Sequence, residues 1–135
     1  MLIQPRKEKF RKQFRGRRRG KAMRGNEIAF GDYGLKATSA GWVSGKQLEA
    51  ARKKITFMTK RTGKYWARVF PDKPVTSKPV GVKMGSGKGA VDEHVAVIKP
   101  GVIMFELAGV TEEIARDAFN KAGHKLSVST KFVEK

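Results

Sequence analysis

The chain has 135 residues, of which 39% are hydrophobic, enough for one compact domain with an extension. Cysteine is absent, which excludes disulfides and thiolate metal sites, and no apolar run approaches the roughly 18 residues of a membrane span. Thirty Lys and Arg against twelve Asp and Glu leave a net charge of +18, and such an excess points to a polyanionic partner.

The positive charge is concentrated in the first two-thirds of the chain. Residues 1–25 contain eleven bases and one acid, for a net charge of +10, and residues 26–88 reach +9. Residues 89–135 carry a net charge of −1, as an ordinary globular surface would. We therefore predict a basic arm over residues 1–25 and a single α+β domain over residues 26–135.

The arm resembles a nucleic-acid-binding segment more than a folded element. It lacks a helical apolar stripe, and Phe10 and Phe14 stand among cations, where rings can stack on bases while cations hold phosphates. A solubilising tail, a targeting peptide and a membrane-surface segment are the alternatives, but an organellar presequence is usually Ser-rich and amphipathic. We expect an arm that orders on RNA through Arg6, Lys7, Lys9, Phe10, Arg11, Lys12, Phe14, Arg15, Arg17, Arg18, Arg19 and Arg24.

Residues 26–43 predict short extended pieces, and the clearest helix follows them. Ser44 is a plausible N-cap, and Gln47 three residues later completes a capping box. Gly63 is a suitable stop. The predicted apolar stripe consists of Leu48, Ala51, Ile55 and Met58.

The opposite face of this helix is basic. Its cations repel one another in isolation, because Glu49 is the one acid near them, and a phosphate surface would relieve that repulsion. A solvated face is the plainer alternative. Phe57 lies in the middle of the basic face, or covers a neighbouring loop. We predict a second RNA surface at Lys46, Lys53, Lys60 and Arg61.

The remaining segments complete the predicted fold. Residues 64–70 alternate as a strand does, and the three prolines of residues 71–79 favour an extended connection. Residues 94–107 predict a hairpin that turns at Pro100-Gly101. A helix capped by Thr111, with Glu112 and Glu113 in its first turn, precedes a strand at 126–133. This order predicts an α+β sandwich, with two helices on one face of a mainly antiparallel sheet. The predicted apolar face of the second helix is Ile114, Ala115, Ala118, Phe119 and Ala122, and Gly123 ends it.

The stretch VGVKMGSGKGAVDE, residues 80–93, contains a Gly-rich loop at 81–91 that could cradle phosphate. A nucleotide P-loop requires Gly five residues before the Gly-Lys pair and Ser or Thr after it. Here Val82 and Gly89 occupy those positions around Gly87-Lys88, and no helix is expected to follow. An RNA backbone or a flexible hairpin tip remains, and we expect the loop to project from the domain.

Nothing in the sequence indicates an enzyme. His94 and His124 are far apart, and a lone histidine usually serves packing or a helix cap. The acids Asp92-Glu93 and Glu112-Glu113 are adjacent, so in extended structure the members of each pair point to opposite sides. We predict no catalysis, no metal, no cofactor and no small-molecule substrate.

Six segments together resemble the bacterial L-sixteen family of large-subunit ribosomal proteins. The archaeal and eukaryotic counterparts of this family belong to the same universal group. The combination of VFPDKP and MGxGKG in this order is specific to that family. The segments cover nearly the whole chain: QPRKEKFRKQFRGRRRG (4–20), FGDYGLKA (30–37), EAARKKI (49–55), KYWARVFPDKPVTSKP (64–79), VKMGSGKGAVDEHVAVIKPG (82–101) and EEIARDAF (112–119).

The resemblance implies a structural, rRNA-binding protein of the large subunit that joins late in assembly and contacts neighbouring ribosomal proteins. It also implies that the loop approaches aminoacyl-site tRNA near the peptidyl-transferase centre. Lys83 and Ser86 depart from the arginine and lysine that the bacterial family favours, so the loop carries less fixed charge. The tRNA-proximal residues implied are Lys83, Met84, Gly85, Ser86, Gly87, Lys88 and Gly89.

Location and rival functions complete the sequence-based expectations. The expected location is the cytoplasmic ribosome, and the sequence leaves a bacterial and a plastid host open. A free-standing nucleic-acid chaperone or DNA-binding protein would share the charge, and a nucleotide hydrolase would use the loop.

Overall fold

The computed structural model describes residues 4–135, so the first three residues of the predicted arm lie outside it. Within that range seven strands form two antiparallel sheets beside two helices. The α+β class is confirmed, although the strands divide between two sheets. In chain order the elements are β1 (Tyr33–Ala37), β2 (Gly41–Ser44), α1 (Gly45–Met58), β3 (Lys64–Ala67), β4 (Lys73–Ser77), β5 (Ala90–Ile98), β6 (Ile103–Ala108), α2 (Glu112–Gly123) and β7 (Thr130–Glu134).

The larger sheet has the strand order β3-β6-β1-β7. Its strand β6 is buried from Ile103 to Leu107, which explains why this segment is almost continuously apolar. Leu35 of β1 and Phe105 of β6 face each other across the ladder, and both belong to the main hydrophobic core. The same core includes buried side chains of both helices, Ile55 and Phe119 among them.

The smaller sheet has the order β2-β5-β4, and it corrects two sequence-based expectations. Residues 71–79 are not merely a connection, because β4 pairs with β5 as an edge strand, where Pro74 opposite His94 is tolerated. The predicted pairing of the two strands in residues 94–107 is wrong, because β5 and β6 lie in different sheets, but the turn at Pro100-Gly101 is present, with Val102 N 3.3 Å from Lys99 O. The connection between β5 and β6 is hydrogen-bonded to β1, because the N–H of Ala37 donates to Val102 O at 2.8 Å.

Helix α1 begins as predicted and ends earlier than predicted. The capping box is confirmed, with Gln47 N to Ser44 Oγ at 3.2 Å and Ser44 N to Gln47 Oε1 at 3.0 Å. The helix ends at Met58, with Thr59 as its C-cap. Gly63 therefore does not stop it; a Cβ there would lie 2.2 Å from Ala108 O, so Gly63 permits a close approach to β6.

Helix α2 confirms its predicted ends. Thr111 accepts a hydrogen bond from Ile114 N, and the helix runs to Gly123. Its apolar face is narrower than predicted, because Ile114 is 41% exposed while the other predicted members are buried. In residues 4–135 neither helix has the length and apolar character to cross a membrane.

Several strand boundaries differ from those predicted. Strand β3 ends at Ala67 rather than at residue 70, and β7 begins at Thr130 rather than at residue 126. Strand β5 begins at Ala90, inside the stretch assigned to the Gly-rich loop. Boundaries depend on partner strands, which local residue preferences do not specify.

Candidate nucleic-acid interface

The described part of the arm contains no helix or strand, and its predicted RNA-binding cations are exposed except for the partly buried Arg18. Phe10 is 59% exposed and Phe14 is 92% exposed. In residues 4–135, no carboxylate forms an ion pair with a cation of the arm. The ion pairs of this range involve cations of the folded domain, or His94. The arm thus presents its charge and its rings to solvent.

The arm also docks on the smaller sheet. The ammonium of Lys73, on β4, donates to the carbonyl oxygen of Arg15. Arg18 and Lys73 each place a cationic group 5.2 Å from the ring centre of Trp42, on β2. No sequence pattern indicated Trp42 or Lys73, because their proximity depends on β2 and β4 both pairing with β5.

Further contacts hold the two ends of the arm to the domain. Glu8, the arm's acid, has its Oε1 2.5 Å from His94 Nε2 on β5. Ala22 N donates to Pro100 O at 2.9 Å, close to the predicted boundary at residue 25. That boundary stays a prediction. His124 is the C-cap of α2, as expected for a lone histidine, whereas His94 makes an ion-pair contact that the sequence did not indicate.

The Gly-rich loop connects β4 to β5 and is exposed from Val80 to Lys88. Its backbone is left-handed at Gly85 (φ 114°), Ser86 (φ 61°) and Gly87 (φ 94°). Strand β5 follows the loop, so no helix N-terminus faces it, which argues against a nucleotide P-loop. Projection of the loop from the domain stays a prediction.

The loop and the arm contact each other through Lys88. Lys12 Nζ donates to Lys88 O at 3.2 Å, and Lys88 Nζ donates to Gln13 O. The same ammonium lies 5.9 Å from the ring centre of Phe14. The structure therefore brings together predicted arm and loop residues that are more than 70 positions apart in the chain.

Three of the four predicted cations of α1 lie together at the C-terminal end of the helix. Lys53, Lys60 and Arg61 line one groove of about 560 Å³ with Arg52, Thr56 and Phe57. Lys46 lies apart, at the first turn, beside a depression near His94. Phe57 is 73% exposed, so it does not cover a neighbouring loop.

The one acid of α1 is engaged within the helix. Glu49 accepts a hydrogen bond at 3.0 Å from Arg52 Nε, and a second, shorter contact joins Glu49 Oε1 to Arg52 Nη2. The hydrogen bonds from Arg52 lower the pKa of Glu49, against the opposing effect of burial, and raise the pKa of Arg52. Arg52 is thus paired with Glu49, whereas the side chains of Lys53, Lys60 and Arg61 are exposed.

A buried carboxylate supports the arm's entry into the domain. Glu106 Oε1 accepts hydrogen bonds from the backbone N–H groups of Ala29, Phe30 and Gly31 at 3.1, 2.9 and 2.9 Å. Its Oε2 lies 3.1 Å from Arg68 Nη1. This role of Glu106 was not predicted, although a lone acid within an apolar strand already indicates a buried partner.

In residues 4–135, the predicted arm cations form no ion pair with a carboxylate and stand among exposed aromatic rings, a combination that is typical of RNA-binding surfaces. The family model described as ribosomal protein L16p/L10e matches residues 5–133. The chain belongs to this family. A member of the L16p/L10e family is a structural protein of the large ribosomal subunit, located in the ribosome, and membership implies binding to rRNA and to other ribosomal proteins.

The family is structural rather than enzymatic. Among residues 4–135, no group of three or more His, Asp or Glu side chains is arranged to hold a metal ion. Absence of metals, cofactors and small-molecule substrates stays a prediction.

Proposed function

We propose that this L16p/L10e chain binds large-subunit rRNA through its arm and the basic face of α1, late in subunit assembly. In that position its Gly-rich loop helps to place aminoacyl-site tRNA near the peptidyl-transferase centre. The observation that carries the proposal is the exposed cationic surface, because it requires a polyanion that the protein does not supply.

Two features of the loop support a contact with an RNA backbone. Its glycines let backbone N–H groups approach a phosphate closely, and a Cβ placed on Gly85 or Gly87 would meet no atom within 4 Å. Lys83 is exposed in the loop, whereas Lys88 is engaged with the arm. We therefore assign the tRNA contact first to Lys83 and the loop's position to Lys88.

Lys83→Ala tests the tRNA role in assembled subunits. Co-sedimentation in moderate salt should show normal incorporation, because the arm and α1 are unchanged. Affinity for aminoacyl-site tRNA should fall roughly fivefold, as expected for one lost charge-assisted phosphate contact. Lys99→Ala, an exposed lysine between β5 and β6, is the matched control and should change neither quantity.

Two outcomes would contradict the proposal. Unchanged tRNA affinity in subunits that carry Lys83→Ala would leave the loop without a tRNA role. Loss of the wild-type chain from large subunits in moderate salt would instead favour a free-standing nucleic-acid chaperone.

A further inference from the structure

We propose that the groove at the C-terminal end of α1 binds one unpaired nucleotide of RNA, with its base stacked on Phe57 and its phosphates held by the surrounding cations. The inference rests on the proposed rRNA binding and adds a defined site to it.

The first observation is the ring of Phe57. It is 73% exposed on a helix whose other large apolar side chains face the core. An exposed ring does not contribute the free energy that burial of its apolar surface would give. The aromatic pairs of residues 4–135 involve other rings. Lys54 Nζ lies 5.4 Å from the ring centre, so the ring is already polarised by a cation while most of its surface remains accessible.

The second observation is the groove beside that ring. Its volume of about 560 Å³ lies within the range of pockets that hold small ligands. Apart from Phe57 and Thr56, its lining is cationic; Arg52 is paired with Glu49, and Lys53, Lys60 and Arg61 are exposed. An aromatic platform flanked by cations is how proteins bind single-stranded nucleic acid, because the ring takes the base and the cations take the backbone.

The third observation is the backbone at the end of the helix. Lys60 (φ 53°) and Arg61 (φ 62°) both adopt the left-handed conformation, which Gly or Asn would adopt with less strain. Hydrogen bonds from Lys60 N to Phe57 O and from Arg61 N to Thr56 O, both 3.2 Å, fix this turn. The turn places both cations on the groove, and such strain is commonly found at functional sites.

These observations favour a nucleotide over a protein segment. An acidic peptide would satisfy the cations but would offer no planar face to Phe57, whereas a nucleotide offers a base and phosphates together. The nucleotide must be unpaired, because bases within an A-form duplex are stacked on each other and their faces are closed to a side chain.

Binding of the full chain to two RNA hairpins tests the proposal. The hairpins share one stem, and only one of them carries a single unpaired uridine. The wild-type chain should prefer the bulged hairpin roughly tenfold, and Phe57→Ala should abolish that preference while affinity for the paired hairpin stays within about twofold. Phe57→Trp should retain the preference. Phe70→Ala, a half-exposed phenylalanine outside the groove, is the matched control and should behave as wild type.

A crosslink supplies a second readout that does not depend on affinity. With 5-iodouridine at the unpaired position, irradiation should attach the RNA to Phe57, as mapped by mass spectrometry. An unchanged preference in Phe57→Ala, or a crosslink that maps to Phe10 or Phe14 alone, would overturn the nucleotide site and leave rRNA binding intact. Failure of the wild-type chain to bind either hairpin would instead overturn the proposed RNA binding.

Discussion

At the scale of single residues, Glu106 links three parts of the chain. It has no solvent exposure, it accepts three backbone hydrogen bonds from the segment before β1, and it faces Arg68 beyond β3. Arg68 in turn donates to Glu27 O at 2.5 Å and lies over the ring of Phe30 at 5.7 Å. The carboxylate therefore fixes where the arm enters the folded domain.

Glu106→Gln tests this role. The amide cannot balance the charge of Arg68. Its NH₂ group would also place a hydrogen-bond donor against the guanidinium, where the wild-type protein has a carboxylate oxygen. Unfolding free energy should fall by about 3 kcal/mol, as when one partner of a buried pair is removed. Urea denaturation measures the loss. Asp117→Asn, which removes an exposed pair with Lys121 on α2, should lose less than about 0.5 kcal/mol. Equal losses in the two variants would contradict the role of burial.

The pair of Glu49 and Arg52 predicts an acid-dependent contribution to stability. The folded state holds the pKa of Glu49 below its ordinary value of 4.5, because Arg52 hydrogen-bonds to the carboxylate. The folded state therefore binds the proton less tightly than the unfolded state. The contribution is complete above pH 4.5 and is lost as the pH falls below that value.

Denaturation midpoints measured between neutral pH and acid check this expectation. Glu49→Gln and Arg52→Met should each reduce the loss of stability between neutral pH and acid. The double variant should reduce it no further, because the same interaction is removed in all three variants. Additive effects of the two substitutions would show that the pair is not the source.

At the scale of elements, the arm and the Gly-rich loop form one connected surface. Lys12, Gln13 and Phe14 of the arm all contact Lys88 of the loop. The two segments are more than 70 positions apart in the chain. They meet because the arm lies against residues of β2 and β4, which both pair with β5, and the loop connects β4 to β5. Binding of RNA by the arm would therefore restrict the loop as well.

Lys88→Ala should loosen this connection. Without the ammonium, Gln13 O and the Phe14 ring lose their partner, and local opening of the arm becomes easier. Cleavage by chymotrypsin after Phe14, followed by mass spectrometry, should accelerate roughly threefold or more. Lys83→Ala is the control, since it keeps Lys88, and should cleave at the wild-type rate. Equal rates in Lys88→Ala and wild type would show that the contact does not restrain the arm.

At the scale of the whole molecule, the excess positive charge and most of the buried core lie in different parts of the chain. Residues 89–135 carry a net charge of −1 and contribute β6, α2 and most of the buried core residues. The excess charge lies on the arm, the basic face of α1 and the loop. Neutralising this charge would release many counterions, so affinity for RNA should depend steeply on salt.

Binding of the full chain to its rRNA fragment, measured over a range of salt concentrations, gives the slope of log K against log salt. About eight to ten phosphate contacts predict a slope of about −6 to −9. Replacing Arg17 and Arg19 by Ala should make the slope less steep by about 2, whereas replacing Lys125 and Lys135 should leave it unchanged. A wild-type slope near −1 would contradict phosphate neutralisation by the arm.

The features that depend on local chemistry follow from the sequence alone. The composition showed where the charge lies, Ser44 and Thr111 marked the starts of the two helices, and the spacing around Gly87-Lys88 argued against a nucleotide P-loop. Capping and helical periodicity involve residues three or four positions apart, so a linear pattern contains them.

The folded chain was needed to show which strands share a sheet, that residues 73–77 form an edge strand, and that β5 and β6 lie in different sheets. It also decided the docking of the arm on Trp42, the burial of Glu106, and the exposure of Phe57 beside the cations of α1. These features join residues distant in the chain or depend on what packs nearby. Strand pairing is set by whichever faces become buried together, and local preference does not contain that choice.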